Sequence, residues 1–304
     1  MMNAALFPED RKRGGVFGGR INMEERLLNH EQVLRLLPDR DPQAHKGNFG
    51  RVLLLCGSRG YTGAAALAAM GSLRSGAGLV YLAVPESIYQ IEAVKLTEPI
   101  VLPLPDCNGT FSNDAADAVL ELLPRMDAVL IGPGLGQSDG TLRVLKAVLE
   151  NFHGPVVVDA DGINLLAKHK ALLRRRNHPT ILTPHEGEFS RLDTDYRGER
   201  RKSALDFARE YGCILVLKGH ETLTTDGRVC YRNTTGNPGM AVGGSGDVLA
   251  GIIVSLLGQG LAPLQAVAAG VWLHGAAGDQ SAKRIGQYGM LPTDLLEDLP
   301  RLMK

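Results

Sequence analysis

Residues 52–84 read VLLLCGSRGYTGAAALAAMGSLRSGAGLVYLAV, and this stretch decides the fold. A short apolar run, Val52–Cys56, leads through a glycine-bearing loop into a small-residue helical stretch, Ala64–Ser75, and then a second apolar run, Leu79–Val84. Runs this short, rich in Val and Leu and without polar alternation, suit strands covered on both faces. Strand, helix, strand in that order is a βαβ unit with parallel strands.

The rhythm continues outward. Ala128–Ile131, Val156–Asp159, Thr180–Leu182 and Ile214–Leu217 repeat the strand pattern, and Asn113–Leu123 and Gly140–Asn151 carry apolar positions at helical spacing. The expected fold class is α/β, a three-layer α/β/α sandwich around a mostly parallel central sheet. Thr222–Arg232, TLTTDGRVCYR, breaks the pattern. Its Asp226-Gly227 between two β-prone runs predicts a hairpin, because the tight turn needs positive φ. Val248–Leu257 and Ala266–Ala276 are almost wholly apolar and are expected as long buried helices. No repeat, low-complexity tract or composition break marks a linker. Residues 23–304 are therefore expected to form a single domain, preceded by a Gly- and Arg-bearing disordered tail over residues 1–22.

Of the 304 residues, 44% are hydrophobic and 22% charged, and 33 basic residues balance 33 acidic ones. That composition fits a globular core and argues against a nucleic-acid or membrane partner held by bulk charge. Cys56, Cys107, Cys213 and Cys230 form no CxxC pair, and three lie in or beside apolar runs. They read as free thiols of a reducing compartment. No stretch approaches the roughly 20 apolar residues of a membrane span, and the N-terminus lacks a signal-peptide core. A cytoplasmic location is expected. Arg174–Arg176 and Arg197–Lys202 carry no interleaved aromatics and read as solvated faces.

The strongest candidate for chemistry is Gly236–Gly251, GNPGMAVGGSGDVLAG. Gly243, Gly244 and Gly246 lead into an apolar helix expected to begin near Asp247. Glycines let backbone approach a ligand, and the free amides of a helix's first turn add an anion site. An isolated Asp after a glycine is more often an N-cap. Five glycines between Gly236 and Gly246 exceed what a cap needs, so Asp247 is read as a general base beside a phosphate loop. The loop Cys56–Gly63, CGSRGYTG, has neither the dinucleotide fingerprint nor the P-loop lysine. Like Gly132-Pro133-Gly134-Leu135-Gly136, it lies at the end of a strand, where α/β proteins place their sites.

Other strand ends are polar. Asp159 is a candidate for a metal or hydroxyl contact, whereas Asp161 reads as a cap of the helix Ile163–Ala167. His185 and Glu188, after Pro184, are placed to face one crevice. The lack of HExxH or a cysteine partner disfavours zinc, and magnesium held partly through water and phosphate suits a carboxylate site. Lys218 is either a phosphate-pairing point charge or a surface lysine at a turn. His274, on an apolar helix, reads as a satisfied core residue.

Assembled, these motifs resemble the ADP/ATP-dependent NAD(P)H-hydrate dehydratase family, a ribokinase-like family, from about Leu36 to the C-terminus. The resemblance rests on His45-Lys46-Gly47-Asn48-Phe49-Gly50, Gly57–Ala66, Arg74-Ser75-Gly76-Ala77-Gly78, GPGLG at 132–136, DADGINLL at 159–166, TPHEGEFSRL at 183–192, KGHET at 218–222 and GNPGMAVGGSGDVLAG at 236–251. It implies dehydration of hydrated NADH or NADPH at the expense of ADP, as in most bacterial members, or ATP, with ADP giving AMP and phosphate. It implies that Asp247 is the base and contacts the hydrate. Ala65, Gly134, Gly136 and His185 would line the hydrate's pocket. Lys218, Gly219, His220, Glu221, Thr222, Asn237, Gly243, Gly244 and Gly246 would hold the nucleotide. Glu188 resembles the acidic residue such enzymes use near magnesium, although His185 stands where the wider pattern has Asn. The resemblance also implies a homotetramer. A separate epimerase is expected as pathway partner, since too little chain precedes the resemblance for a fused one. The alternative is a small-molecule alcohol kinase of the same fold, of hydroxyethylthiazole type, and a third reading is a non-catalytic nucleotide sensor.

Overall fold

The computed structural model describes residues 25–304, and the tail expected over residues 1–22 lies outside the described residues. In chain order the strands are β1 (Glu25–Arg26), β2 (Arg51–Leu55), β3 (Leu79–Pro85), β4 (Ile100–Leu104), β5 (Asp106–Cys107), β6 (Thr110–Phe111), β7 (Ala128–Ile131), β8 (Val156–Val158), β9 (Thr180–Leu182), β10 (Ile214–Leu217), β11 (Leu223–Thr225) and β12 (Cys230–Arg232). The helices are α1 (His30–Leu36), α2 (Thr62–Arg74), α3 (Glu86–Lys95), α4 (Ala115–Leu122), α5 (Asp139–Asn151), α6 (Asp161–Ala167), α7 (Ala171–Arg175), α8 (Glu186–Leu192), α9 (Arg200–Tyr211), α10 (Ser245–Gly258), α11 (Pro263–Ile285) and α12 (Pro292–Asp298).

Ten strands form one sheet in the order β1-β12-β11-β10-β9-β8-β7-β2-β3-β4. From β4 across to β10 every pairing is parallel. The β11–β12 hairpin then adds antiparallel strands, with β1 parallel to β12. Alternate residues of β2 serve two cores. Val52 and Leu54 pack with Ala68 of α2, Val248 of α10 and Ala266 of α11. Leu53 and Leu55 pack with Val119 of α4, Val144 of α5 and Leu205 of α9. A strand buried on both faces must be apolar throughout, which is the pattern read at residues 52–84. The three-layer α/β/α expectation therefore holds.

Helices α2 and α10 touch backbone to backbone. A Cβ on Gly71 would stand 2.7 Å from the Val248 carbonyl oxygen, and one on Gly251 would stand 2.2 Å from that of Ala68. Ser72 Oγ closes the contact by donating to the Gly251 carbonyl at 3.0 Å. This close approach fixes the start of α10 above the sheet.

Several details differ from the sequence reading. Helix α10 begins at Ser245, near Asp247 as expected, but α11 runs nine residues past Ala276 to Ile285. The β11–β12 turn is longer than a two-residue hairpin, and of Asp226 and Gly227 only Gly227 has positive φ. Asp226 Oδ1 instead accepts the amides of Arg228 and Val229, both at 2.8 Å. Arg176 is not on a solvated face. It donates to the carbonyls of Leu149, Phe152 and Gly154, and burial lowers its pKa to about 10. All four cysteines are free thiols, as read; Cys56, Cys213 and Cys230 are buried, and Cys107 is exposed. Among the described residues no helix is long and apolar enough to cross a membrane.

Candidate active site

From β2 the chain builds outward to β3 and β4, then returns to the other side of β2 to continue through β7, β8, β9 and β10. At such a reversal the loops leaving neighbouring strands diverge and open a crevice at the strands' carboxyl ends. Here the two flanking loops are those singled out for their glycines. Gly57 donates its amide to the Pro133 carbonyl at 2.8 Å, and Ser58 Oγ donates to the Gly134 carbonyl at 2.7 Å. The Arg59 amide reaches the Gly109 carbonyl of the β5–β6 hairpin at 2.9 Å, so that hairpin joins the rim. Gly134 stands against Tyr61 and Ala64, Gly136 stands against Thr110, and Ala65 is buried beneath Gly57.

Asp161 belongs to this rim and is not a helix cap. It is the first residue of α6, and its carboxylate accepts the Gly136 amide at 2.9 Å and Gln137 Nε2 at 3.1 Å. The residue before it, Ala160, has φ of +49°, a conformation that strains a non-glycine residue by about 1–3 kcal/mol. That bend sends Asp161 to the glycine loop while Asp159 stays buried at the end of β8.

Asp159 faces the second region, the entrance of α10. Gly244, at φ of +97°, turns the chain into the helix. Among the described residues the amides of Gly243, Gly244, Gly246 and Asp247 donate to no protein acceptor. Four free N–H groups at the positive end of a 14-residue helix favour an anion. Asp247 is the third residue of the helix, so capping does not account for it. Burial, and after it the Asp159 charge, raise its pKa to about 7 against the opposing Lys218 charge.

Lys218, at the end of β10, is not a surface lysine. Its Nζ donates to Asp159 Oδ1 at 2.9 Å and stands 3.9 Å from Glu188 Oε2. Burial pulls its pKa down, but the carboxylates of Asp159, Glu188 and Asp247 outweigh that and raise it, so the ammonium persists. A Cβ on Gly246 would lie 3.4 Å from Lys218 Nζ and 3.8 Å from Asp159 Oδ2, which puts the start of α10 directly on this pair. His185 and Glu188 share a capping box. His185 Nδ1 accepts the amides of Gly187 and Glu188, and Glu188 Oε2 accepts the His185 amide at 3.0 Å. The Lys218 amide donates to the Pro184 carbonyl at 2.8 Å, which joins the two loops.

Gly219–Thr222 is a tight turn closed by Thr222 Oγ1, which donates to the Gly219 carbonyl at 3.0 Å, and His220 and Glu221 are exposed on it. Arg200, from the run read as a solvated face, donates to the carbonyls of Leu217 and Lys218 and pairs with Glu186 at 3.0 Å, so it buttresses this turn. Asn237 Oδ1 caps the turn Pro238–Met240 by accepting the Gly239 amide at 3.0 Å. His274 Nε2 lies 3.2 Å from Ser245 Oγ, and burial lowers its pKa to about 4, so it is neutral and satisfied, as read.

This arrangement pairs a glycine-walled crevice with a charged helix entrance, and a family profile matches it. The profile, of NAD(P)H-hydrate dehydratase, covers residues 52–301. The chain belongs to this family. It is 45% identical over 290 residues to a bifunctional NAD(P)H-hydrate repair enzyme of Moorella thermoacetica, covering 93% of this chain and 54% of the relative. The chain thus spans about half the length of such curated relatives. Among solved structures, a ribokinase-like superfamily protein of Enterococcus faecalis is similar with a TM-score of 0.82 and 29% identity, covering 96% of this chain and 98% of that one. The ADP/ATP-dependent NAD(P)H-hydrate dehydratase of Bacillus subtilis, co-crystallised with ATP and Mg2+, is similar with a TM-score of 0.80 and 33% identity, covering 93% of this chain and 98% of that one. The fold is therefore ribokinase-like.

Proposed function

We propose that this chain restores NADH or NADPH from its hydrated form, using ADP in preference to ATP and releasing AMP and phosphate, as a carbon–oxygen lyase. The observation that carries the reading is the set of four free amides at the start of α10 beside the Asp247 carboxyl. A carboxyl group titrating near neutrality is matched to taking a proton from an alcohol.

Asp247 accepts the proton of the hydrate's ring hydroxyl, and the hydroxyl oxygen attacks the terminal phosphorus of the nucleotide. The phosphoanhydride bond breaks and AMP leaves. Hydroxide is a poor leaving group, but phosphate is a good one. The ring nitrogen's lone pair expels phosphate, and loss of a proton from the adjacent ring carbon restores the double bond. The amides of Gly243, Gly244 and Gly246 hold the negative charge on the transferring group, and Lys218 faces them as a fixed cation. Gly219, His220, Glu221, Thr222 and Asn237 hold the rest of the nucleotide. Ala65, Gly134, Gly136 and His185 line the pocket of the hydrate.

Among the described residues no three His, Cys, Asp or Glu side chains are grouped as a metal cage, and the Lys218 ammonium already neutralises Asp159 and approaches Glu188. That donor set fits magnesium carried chiefly by nucleotide phosphates and water, with Glu188 nearest, and the ion would supply charge neutralisation. The reading extends to one domain over residues 23–304, a homotetramer, a cytoplasmic location and an epimerase activity as pathway partner.

The deciding experiment supplies hydrated NADH with ADP or ATP. Recovery of the reduced-nicotinamide absorbance with one phosphate released per turnover is expected. Accumulation of a stable phosphorylated alcohol would favour a kinase instead.

A further inference from the structure

The loop Asn233–Met240 that precedes the glycine entrance lies on α11 in a way that its own sequence does not explain. Helix interiors lose about 1 kcal/mol for each Gly in place of Ala, yet α11 carries glycines at 275 and 278. Both are filled by the loop. A Cβ on Gly275 would stand 2.3 Å from Thr235 Oγ1 and 2.7 Å from the Thr235 carbonyl oxygen, and one on Gly278 would stand 2.3 Å from Met240 Sδ. Residues 275, 278 and 279 share one helix face, and the third is Asp279.

Asp279 uses both carboxylate oxygens on this loop. Oδ2 accepts the Gly236 amide at 2.9 Å, and Oδ1 accepts Asn237 Nδ2 at 3.0 Å. It has no ion-pair partner among the described residues, so its charge serves the loop alone. Orienting the Asn237 amide in this way leaves Oδ1 of Asn237 to cap Gly239. Thr235 Oγ1 adds a bond to the Trp272 carbonyl at 2.9 Å.

We propose that Asp279 is a positioning residue for the nucleotide: seated on the α11 face that carries Gly275 and Gly278, it fixes Asn237 and the strap Gly236–Met240 against which the nucleotide binds. This rests on the reading that the strap carries the nucleotide. The transferring phosphoryl group is held further along, where Gly244 packs on Leu67 and Pro292 independently of Asp279. Loss of Asp279 therefore weakens nucleotide binding more than it slows the chemical step.

The test compares wild type with Asp279→Asn, Asp279→Ala and Gly275→Ala, with calorimetric ADP and ATP binding, steady-state kinetics on hydrated NADH and thermal unfolding. A charge-assisted hydrogen bond of this kind supports an effect of about tenfold or more. The expected result is a rise of that size in nucleotide Kd and KM for all three variants. The KM for the hydrate, kcat within about threefold and the melting temperature of Asp279→Asn should hold. Unchanged nucleotide affinity in both Asp279 variants overturns the proposal, as does a joint fall of kcat, both affinities and melting temperature in Asp279→Asn. Wild type that binds neither ADP nor ATP overturns the nucleotide reading itself.

Discussion

The crevice between β2 and β7 and the entrance of α10 are both built from glycine loops at the carboxyl ends of the strands, yet they use their backbone in opposite ways. In the crevice the polar groups are bound to one another. Gly57 and Ser58 bind the Gly132–Gly136 loop, and Gly136 and Gln137 take both oxygens of Asp161. What remains for a ligand is shape. At α10 the amides are free, and the carboxylates of Asp159, Glu188 and Asp247 surround one ammonium. What remains there is charge. On the proposed function a substrate ring would be recognised by the first and a transferring phosphoryl group by the second, so affinity for one should be separable from affinity for the other.

The largest effect is expected where the two regions touch. A Cβ on Gly132, at φ of +130°, would stand 1.8 Å from the Asp159 carbonyl oxygen. Gly132→Ala should destabilise the fold by about 3 kcal/mol or more in denaturant unfolding, with both ligand affinities falling together. Gly136→Ala probes the crevice alone. At φ of +76° its Cβ meets Thr110 Cγ2 at 2.9 Å. The KM for the hydrate should rise about tenfold, the scale of one to two kcal/mol of strain, while ADP affinity measured by calorimetry stays constant. Equal losses at both ligands would erase the distinction between the regions.

The charged region should show itself in pH dependence. Asp247 must be ionised to accept a proton, so kcat should fall on the acid side of about pH 7. Asp159→Asn removes a negative neighbour that raises Asp247, and the acid limb should move to lower pH. A limb that stays in place would remove Asp159 from the account. Stability has the opposite slope. A carboxyl raised in the folded state above its unfolded value of about 3.9 binds its proton more tightly when folded. Its contribution is full below that value and is lost as pH rises through about 7. Melting temperatures between pH 5 and 8 (~) should therefore decline more steeply with pH in wild type than in Asp247→Asn, the smallest of these effects.

The sequence made the central sheet legible because strands buried on both faces are apolar without interruption. Ala128–Ile131, Thr180–Leu182 and Ile214–Leu217 match their strands residue for residue. The edges were not legible. Strand β4 contains Pro103 and, among the described residues, pairs only with β3, and β1 is two residues long. Helix α11 extends beyond the apolar run because its last turns carry polar residues, of which Asp279 and Arg284 bind other segments rather than the core. At the site, Asp247, Lys218 and the glycine loops stood out locally. The roles of Arg176, Arg200 and Asp279 depend on carbonyls and amides brought from 17 or more residues away, and no local pattern announces such partners.

The most direct measurement is single-turnover kinetics of Asp247→Asn on hydrated NADH with saturating ADP, alongside the Kd of ADP for the same variant. Loss of turnover by about 100-fold or more is expected, with ADP affinity kept within several-fold. Wild-type turnover in this variant would contradict the assignment of the base, and with it the chemistry placed at the start of α10.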